Sequence, residues 1–149
     1  MTLREQKIIH AARGWIGTPY RHQASVKGQG CDCLGLLRGV WREVVGDEPQ
    51  RIPSYTADWS ETGHEERLWA AAMRNMGKAV IDTGKGGQVV LFRMRAGHVA
   101  KHLGILARSD AGFATVIHAY SGRGVVETPM NGAWARKIVA QFKFPGRKA

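Results

Sequence analysis

The sequence predicts an α+β fold, with N-terminal helices packed on an antiparallel sheet of about five strands. Three observations carry this reading. Apolar residues recur at helical spacing as far as Gly77, β-branched and alternating runs follow it, and Gly, Asn, Asp and Pro punctuate those runs. No internal repeat or low-complexity segment interrupts the pattern, so residues 1–149 read as one domain. A chain of 149 residues can bury ~68–70% of its unfolded surface, enough to fold without a metal or a disulfide.

Thr2 and Glu5 form a capping box followed by Ile8, Ala11, Ala12 and Trp15, which predicts a helix over 3–15 that stops at Gly17-Thr18-Pro19. Residues 20–32 read as a Gly-rich loop. They feed a second helix on which Cys33, Leu36, Leu37, Val40, Trp41 and Val44 make the stripe of a core-packed element. Residues 46–60, with Pro49 and Pro53, show no periodicity; a connection of that length commonly builds a site or a binding wall. A second capping box, Thr62 and Glu65, opens a third helix carrying Leu68, Trp69, Ala72, Met73 and Met76. Strands are expected over 89–93, 101–108, 113–120, 125–128 and 135–144.

Composition narrows the class. With 44% hydrophobic and 23% charged residues the chain is globular rather than disordered. The net charge of +10 is spread without any block of five or six like charges, so the usual basic arm for specific nucleic-acid binding is missing. The diffuse positive field suits an anionic partner, whether nucleic acid, an acidic wall polymer or an acidic protein surface. The first ten residues lack the apolar core and cleavage site of a secretory signal, and no stretch approaches the ~20 apolar residues of a membrane span. The expectation is a protein made in the cytoplasm without a signal peptide.

Chemistry concentrates at Cys33. It opens the apolar stripe of its helix, so its sulfur should face the layer beneath, and the roughly +0.5 charge of a helix N-terminus favours thiolate over thiol. Strand alternation places His102, Gly104 and Leu106 on one face, and Ala114, Val116, His118 and Tyr120 on one face of the next strand. An odd-length hairpin loop puts the two histidines on the same face. Pairing at a residue-number sum of 220 would set them directly opposite, with Cβ atoms ~4.5–5.5 Å apart. The expected arrangement is Cys33 facing His102, with His118 orienting His102: a nucleophile, a base and an orienter. Against it stand plainer readings. A free cysteine is commonly an inert core residue, and His10, His22 and His64 read as ordinary core or surface histidines. A zinc site from Cys31, Cys33, His98 and His102 converges poorly, since His98 and His102 on one strand would lie ~13 Å apart. Cys31 and Cys33 are too close in sequence to bridge without strain, and Cys31 reads as a bystander.

The ordered set Trp15-Ile16-Gly17-Thr18-Pro19-Tyr20, Asp32-Cys33-Leu34-Gly35-Leu36, His102-Leu103-Gly104-Ile105 and Ile117-His118-Ala119 resembles the NlpC-type papain-like cysteine peptidases of bacterial cell-wall metabolism. The resemblance extends from about residue 5 to about residue 143. It implies a papain-like fold and catalysis without metal or organic cofactor. It also implies Cys33 as nucleophile, His102 as general base and His118 as the third member of the triad. Tyr20 matches a tyrosine whose hydroxyl assists the oxyanion or holds substrate. Asp32 matches an acidic residue that meets the free amino end of a short stem peptide. The backbone N–H of Cys33, at a helix N-terminus, is a natural oxyanion donor. The implied reaction is hydrolysis of the amide between D-glutamate and a diamino acid in peptidoglycan stem peptides. Leu34 stands where the family usually has Ser, and Gly87-Gln88 where it often has Gly-Asp; both departures bear on the substrate pocket rather than on the triad. Compact members of this kind are similar to tail-associated peptidases of tailed phages and gene transfer agents. That implies tail or baseplate proteins as partners and action at the periplasm or cell wall, with no specific nucleic acid. Two other readings share these residues: a structural tail or baseplate component that keeps the fold, and a thiol acyltransferase or amidase.

Overall fold

The computed structural model describes residues 2–49 and 66–146. The first helix, α1, spans Leu3–Arg13, and its expected capping box is formed. The Thr2 hydroxyl accepts the Glu5 N–H at 3.1 Å and the Glu5 carboxylate accepts the Thr2 N–H at 3.2 Å. α1 stops two residues earlier than the periodicity suggests, with Gly14 as its C-cap, because Trp15 leaves the helix to bury its indole (2% exposed). The expected Gly-rich loop contains a short antiparallel pair, β1 (Ser25–Val26) and β2 (Gly30–Cys31). Two-residue strands carry too little alternation to be read from sequence.

The cysteine helix, α2, spans Cys33–Val44 and buries Leu36, Leu37, Val40, Trp41 and Val44 as the stripe requires. Gly39 of α2 lies against the Trp15 ring, where a Cβ would come within 1.9 Å; this contact lets α1 and α2 approach closely. The third helix, α3, spans Arg67–Asn75, with Leu68 and Ala72 buried. The Thr62–Glu65 capping box and residues 50–60 of the long connection lie outside the described residues.

After α3 the chain is β, with one short helix inserted. The strands are β3 (Gly77–Ala79), β4 (Val89–Phe92), β5 (His102–Arg108), β6 (Ala114–Tyr120), β7 (Gly124–Pro129) and β8 (Ile138–Lys143), and α4 (Gly132–Ala135) precedes β8. They form one antiparallel sheet in the order β3-β8-β4-β5-β6-β7, so the observed α+β fold has six strands in its main sheet rather than about five. The extra strand, β3, is a three-residue edge strand paired with β8 and too short to announce itself. The expected strand over 135–144 begins later. Asn131 caps α4 by accepting the Trp134 N–H at 3.1 Å, and the helix takes the first residues.

The sheet has two apolar faces. One, carrying Val89, Leu91, Leu103, Ile105, Ala107, Ile117, Ala119 and Val125, packs against α1, α2 and α3 in the larger core. The other carries Val90, Phe92, Leu106 and Val116 under Met94, Met130, Trp134 and Ile138. β5 and β6 pair Arg108 with Ala114 and Ile105 with Ile117, a residue-number sum of 222 where 220 was expected. The cause is the turn. Gly112 takes φ +92° and donates its N–H to the Ser109 carbonyl, so the loop runs from Ser109 to Phe113 and pairing starts later. Continuing that register sets Gly104 opposite His118 and His102 opposite Tyr120, with the face assignments unchanged.

Candidate active site

Asp32 fixes the start of α2. One carboxylate oxygen accepts the Gly35 N–H at 2.7 Å and the other accepts the Gln23 N–H at 2.7 Å, and the side chain is buried. The same residue therefore caps the cysteine helix and ties down the preceding loop, where Gln23 holds φ +65°. Cys33, the next residue, packs on the larger core, and its thiol donates to the Lys101 carbonyl at 3.5 Å. The sulfur thus meets the sheet at the residue before His102.

His102 opens β5. Its Nε2 lies 2.8 Å from Nδ1 of His118, whose own Nε2 lies 2.9 Å from the Thr128 hydroxyl. His102 Nδ1 has no hydrogen-bond partner among the described residues. The rings are walled by aromatics. Trp134 lies 4.9 Å from His118 and 6.0 Å from His102, centroid to centroid, and Phe92 and Tyr120 flank His102 at 5.6 and 6.1 Å. Both histidines lie on the second face of the sheet, where Thr128 of β7, Trp134 of α4 and Phe92 of β4 surround them.

Burial sets the protonation states. It pushes His102 down to about 3, with the neighbouring His118 acting in the same direction, and pushes His118 down to about 4. Both are neutral near pH 7 and each presents one donor and one acceptor. Burial, assisted by the Asp32 charge, pushes the Cys33 thiol up to about 12, against backbone N–H groups of Leu103, Leu34 and Cys33 that pull it down. The resting group is therefore a thiol, not the thiolate expected from the helix N-terminus. Desolvation outweighs the dipole here. The neighbouring Cys31 is fully buried, free and likewise pushed up to about 12 by burial.

Tyr20 is partly exposed and pairs with Cys31 through an isolated bridge. Its segment is hung between the sheet and β2 by backbone bonds from Cys31 N–H to the Pro19 carbonyl, from Arg21 N–H to the Cys31 carbonyl and from Val125 N–H to the Thr18 carbonyl. Cys31 thus helps hold the Tyr20 backbone. Burial first, then the charge that Cys33 would carry as a thiolate and that of Asp32, push the Tyr20 hydroxyl up to about 12, so it stays a proton donor.

Three supports were not legible in the sequence. Thr128 ends the histidine line. Trp134 covers it. Glu66 pins the segment before His102: one oxygen accepts the Ala100 N–H at 2.8 Å, and the other meets Arg93 at 2.6 Å. Arg93 in turn donates to the His98 carbonyl at 2.8 Å. All three act over long sequence separations, which no local pattern reports. Of the two sequence departures, Leu34 is buried in the core, and Gln88 accepts a bond at 2.7 Å from the buried Gln141. Among the described residues no group of three or more His, Cys, Asp or Glu is placed to hold a metal ion.

Comparison with known proteins bears on the family and the fold. The model of the NlpC/P60 family matches residues 17–143. Among solved structures, a protein from Staphylococcus aureus described as similar to a lipoprotein of the NLP/P60 family superposes with a TM-score of 0.56 at 16% identity. The match covers 94% of this chain and 41% of that one, so the chain spans under half the length of that relative. No match was found among curated proteins.

Proposed function

The chain belongs to the NlpC/P60 family, and from that premise we propose that it is a cell-wall cysteine peptidase that hydrolyses amide bonds of peptidoglycan stem peptides, of the D-glutamyl–diamino acid type. Membership supports a cell-wall hydrolase in general. One observation supports the specific machinery: the His102–His118 line begins one residue from the carbonyl that the Cys33 thiol touches.

In the proposed reaction the Cys33 proton passes to His102 Nδ1 as sulfur attacks the scissile carbonyl carbon. Because the resting pair is neutral, proton transfer accompanies attack rather than preceding it. Negative charge on the carbonyl oxygen is met by the Cys33 N–H and the Tyr20 hydroxyl. Imidazolium His102 then protonates the departing amine, and the thioester is cleaved by water that gives its proton to the same nitrogen. His118 accepts from His102 Nε2–H throughout. Asp32 favours a substrate ammonium through its charge, its two oxygens being engaged with backbone N–H groups. The net charge of +10 adds a salt-dependent attraction to anionic wall polymers. Among the described residues no helix is long and apolar enough to cross a membrane. Carriage to the wall on a tail or baseplate particle rests on the resemblance alone; detection of the chain in purified particles tests it.

The deciding experiment is digestion of purified sacculi followed by mass spectrometry. Stem-peptide fragments should appear with the protein and be absent with Cys33→Ala of unchanged circular dichroism. Equal release by Cys33→Ala overturns the proposal.

A further inference from the structure

The two imidazoles form a chain that can be hydrogen-bonded in either of two directions. In the first, His102 carries its proton on Nε2 and donates to His118 Nδ1, and His118 Nε2–H donates to Thr128. His102 Nδ1 then offers a lone pair. In the second, every proton is on the other nitrogen: His118 Nδ1–H donates to His102 Nε2, the Thr128 hydroxyl donates to His118 Nε2, and His102 Nδ1 is blocked by its own proton. Only the first direction can accept a proton from Cys33.

We propose that Thr128 is a positioning residue that sustains this direction, its hydroxyl oxygen accepting from His118 Nε2–H so that His102 Nδ1 can stay free as the base. The placement supports it. Thr128 pairs with Val116 on the neighbouring strand, so it sits diagonally to His118, and its hydroxyl lies 2.9 Å from Nε2. His118 is 1% exposed, so solvent cannot replace that partner. Without it, the first direction would leave a buried N–H unpaired, and the second would leave only a lone pair. Orphaned buried donors are the rarer and costlier case. Loss of the acceptor therefore tips the chain toward the blocked direction. Imidazolium His102 carries protons on both nitrogens, so the intermediate also needs His118 Nδ1 as an acceptor, which Thr128 supports by accepting from His118 Nε2–H.

The inference rests on the peptidase reading for its catalytic consequence but not for its structural one, and the test separates them. In protein labelled with 15N at histidine, long-range proton–nitrogen correlations report which ring nitrogen bears the proton. His102 and His118 should both be Nε2-protonated at pH 7 in the unmodified protein and in Thr128→Ser. In Thr128→Val, an isosteric change that removes the hydroxyl, Nδ1-protonated forms should appear. Muropeptide cleavage by Thr128→Val should show kcat lower by about 10- to 100-fold, part of the ~10²–10⁴ that general-base catalysis supplies. KM should change little, and Thr128→Ser should restore most of the rate. Nδ1-protonated rings in the unmodified protein, or unchanged ring protonation in Thr128→Val, overturn the assignment. If the unmodified protein cleaves no muropeptide, the functional reading falls while the nitrogen shifts still decide the role of Thr128.

Discussion

Gly104 faces His118 across β5 and β6 on the continued register, and its missing side chain leaves room for the Val116 side chain packed beside that histidine. A Cβ at Gly104 would lie 2.4 Å from the Val116 side chain and 3.4 Å from His118 Cβ. The direct cross-strand partner of His102 is Tyr120 on the continued register, so the 2.8 Å His102–His118 contact is a diagonal one made past Gly104.

Gly104→Ala should therefore damage both stability and chemistry. The added methyl overpacks a site closed by Val116, at a cost of about 1–3 kcal/mol. Thermal unfolding should fall by several degrees, since each kcal/mol moves Tm by roughly 2–4 °C for a chain of this size. The rate of muropeptide cleavage should fall further than stability explains at a temperature where the variant is folded. A variant with normal Tm and normal rate would show that the gap is not needed.

The two histidines should make the protein acid-sensitive. Their folded values, about 3 for His102 and about 4 for His118, lie below the ordinary value of 6.5 because burial disfavours the charged ring. The unfolded chain takes up protons below pH ~6.5 that the folded chain refuses until pH approaches 4 and then 3. Their contribution is thus intact above pH ~6.5 and lost progressively as pH falls. Urea midpoints measured from pH 7 to pH 4 should decline, and His118→Asn, which cannot titrate, should decline less steeply. An equal slope in both proteins would contradict the buried neutral state of His118.

How far the sequence reached can be told from particular residues. Cys33, Leu36, Val40 and Val44 mark their helix because 3.6-residue periodicity is local, and Thr2 with Glu5 marks α1 because a capping box spans four residues. His102 and His118 share a face because strand alternation is local too. Their register differs from the expected one because the positive φ of Gly112, which extends the turn, is invisible without the backbone. The protonation of Cys33 departs from the expected thiolate for a different reason. A helix N-terminus can be read from sequence, whereas the depth of burial that opposes it depends on the whole fold. Thr128, Trp134 and Glu66 reach the histidine line only through the sheet order and the α4 insertion, which no short window contains.

The thiol should behave as a hidden one. With burial and the Asp32 charge pushing Cys33 up to about 12, little thiolate exists at neutral pH. Alkylation by iodoacetamide, followed site by site through peptide mass mapping, should be slow at pH 7. It should rise about tenfold per pH unit up to pH 9, with no plateau at acid pH. Cys31, also pushed up to about 12 and fully buried, should react more slowly still. A fast, pH-independent reaction of Cys33 between pH 5 and pH 8 would instead reveal a preformed thiolate–imidazolium pair.

Trp134 should control the pH range of activity. Its half-buried indole stands edge-on to His118 at 4.9 Å and tilted to His102 at 6.0 Å, and it also touches Phe92 and Tyr120. The first cause of both low histidine values is desolvation, so water admitted beside the rings must raise them toward 6.5. The base is active only when unprotonated, so Trp134→Ala should move the acid limb of the kcat profile to higher pH. Activity at pH 5 should be lost more than activity at pH 8, and Trp134→Phe, which keeps an aromatic cover, should retain the original limb. A merely structural role predicts a different result: the same fractional loss in Trp134→Ala at every pH.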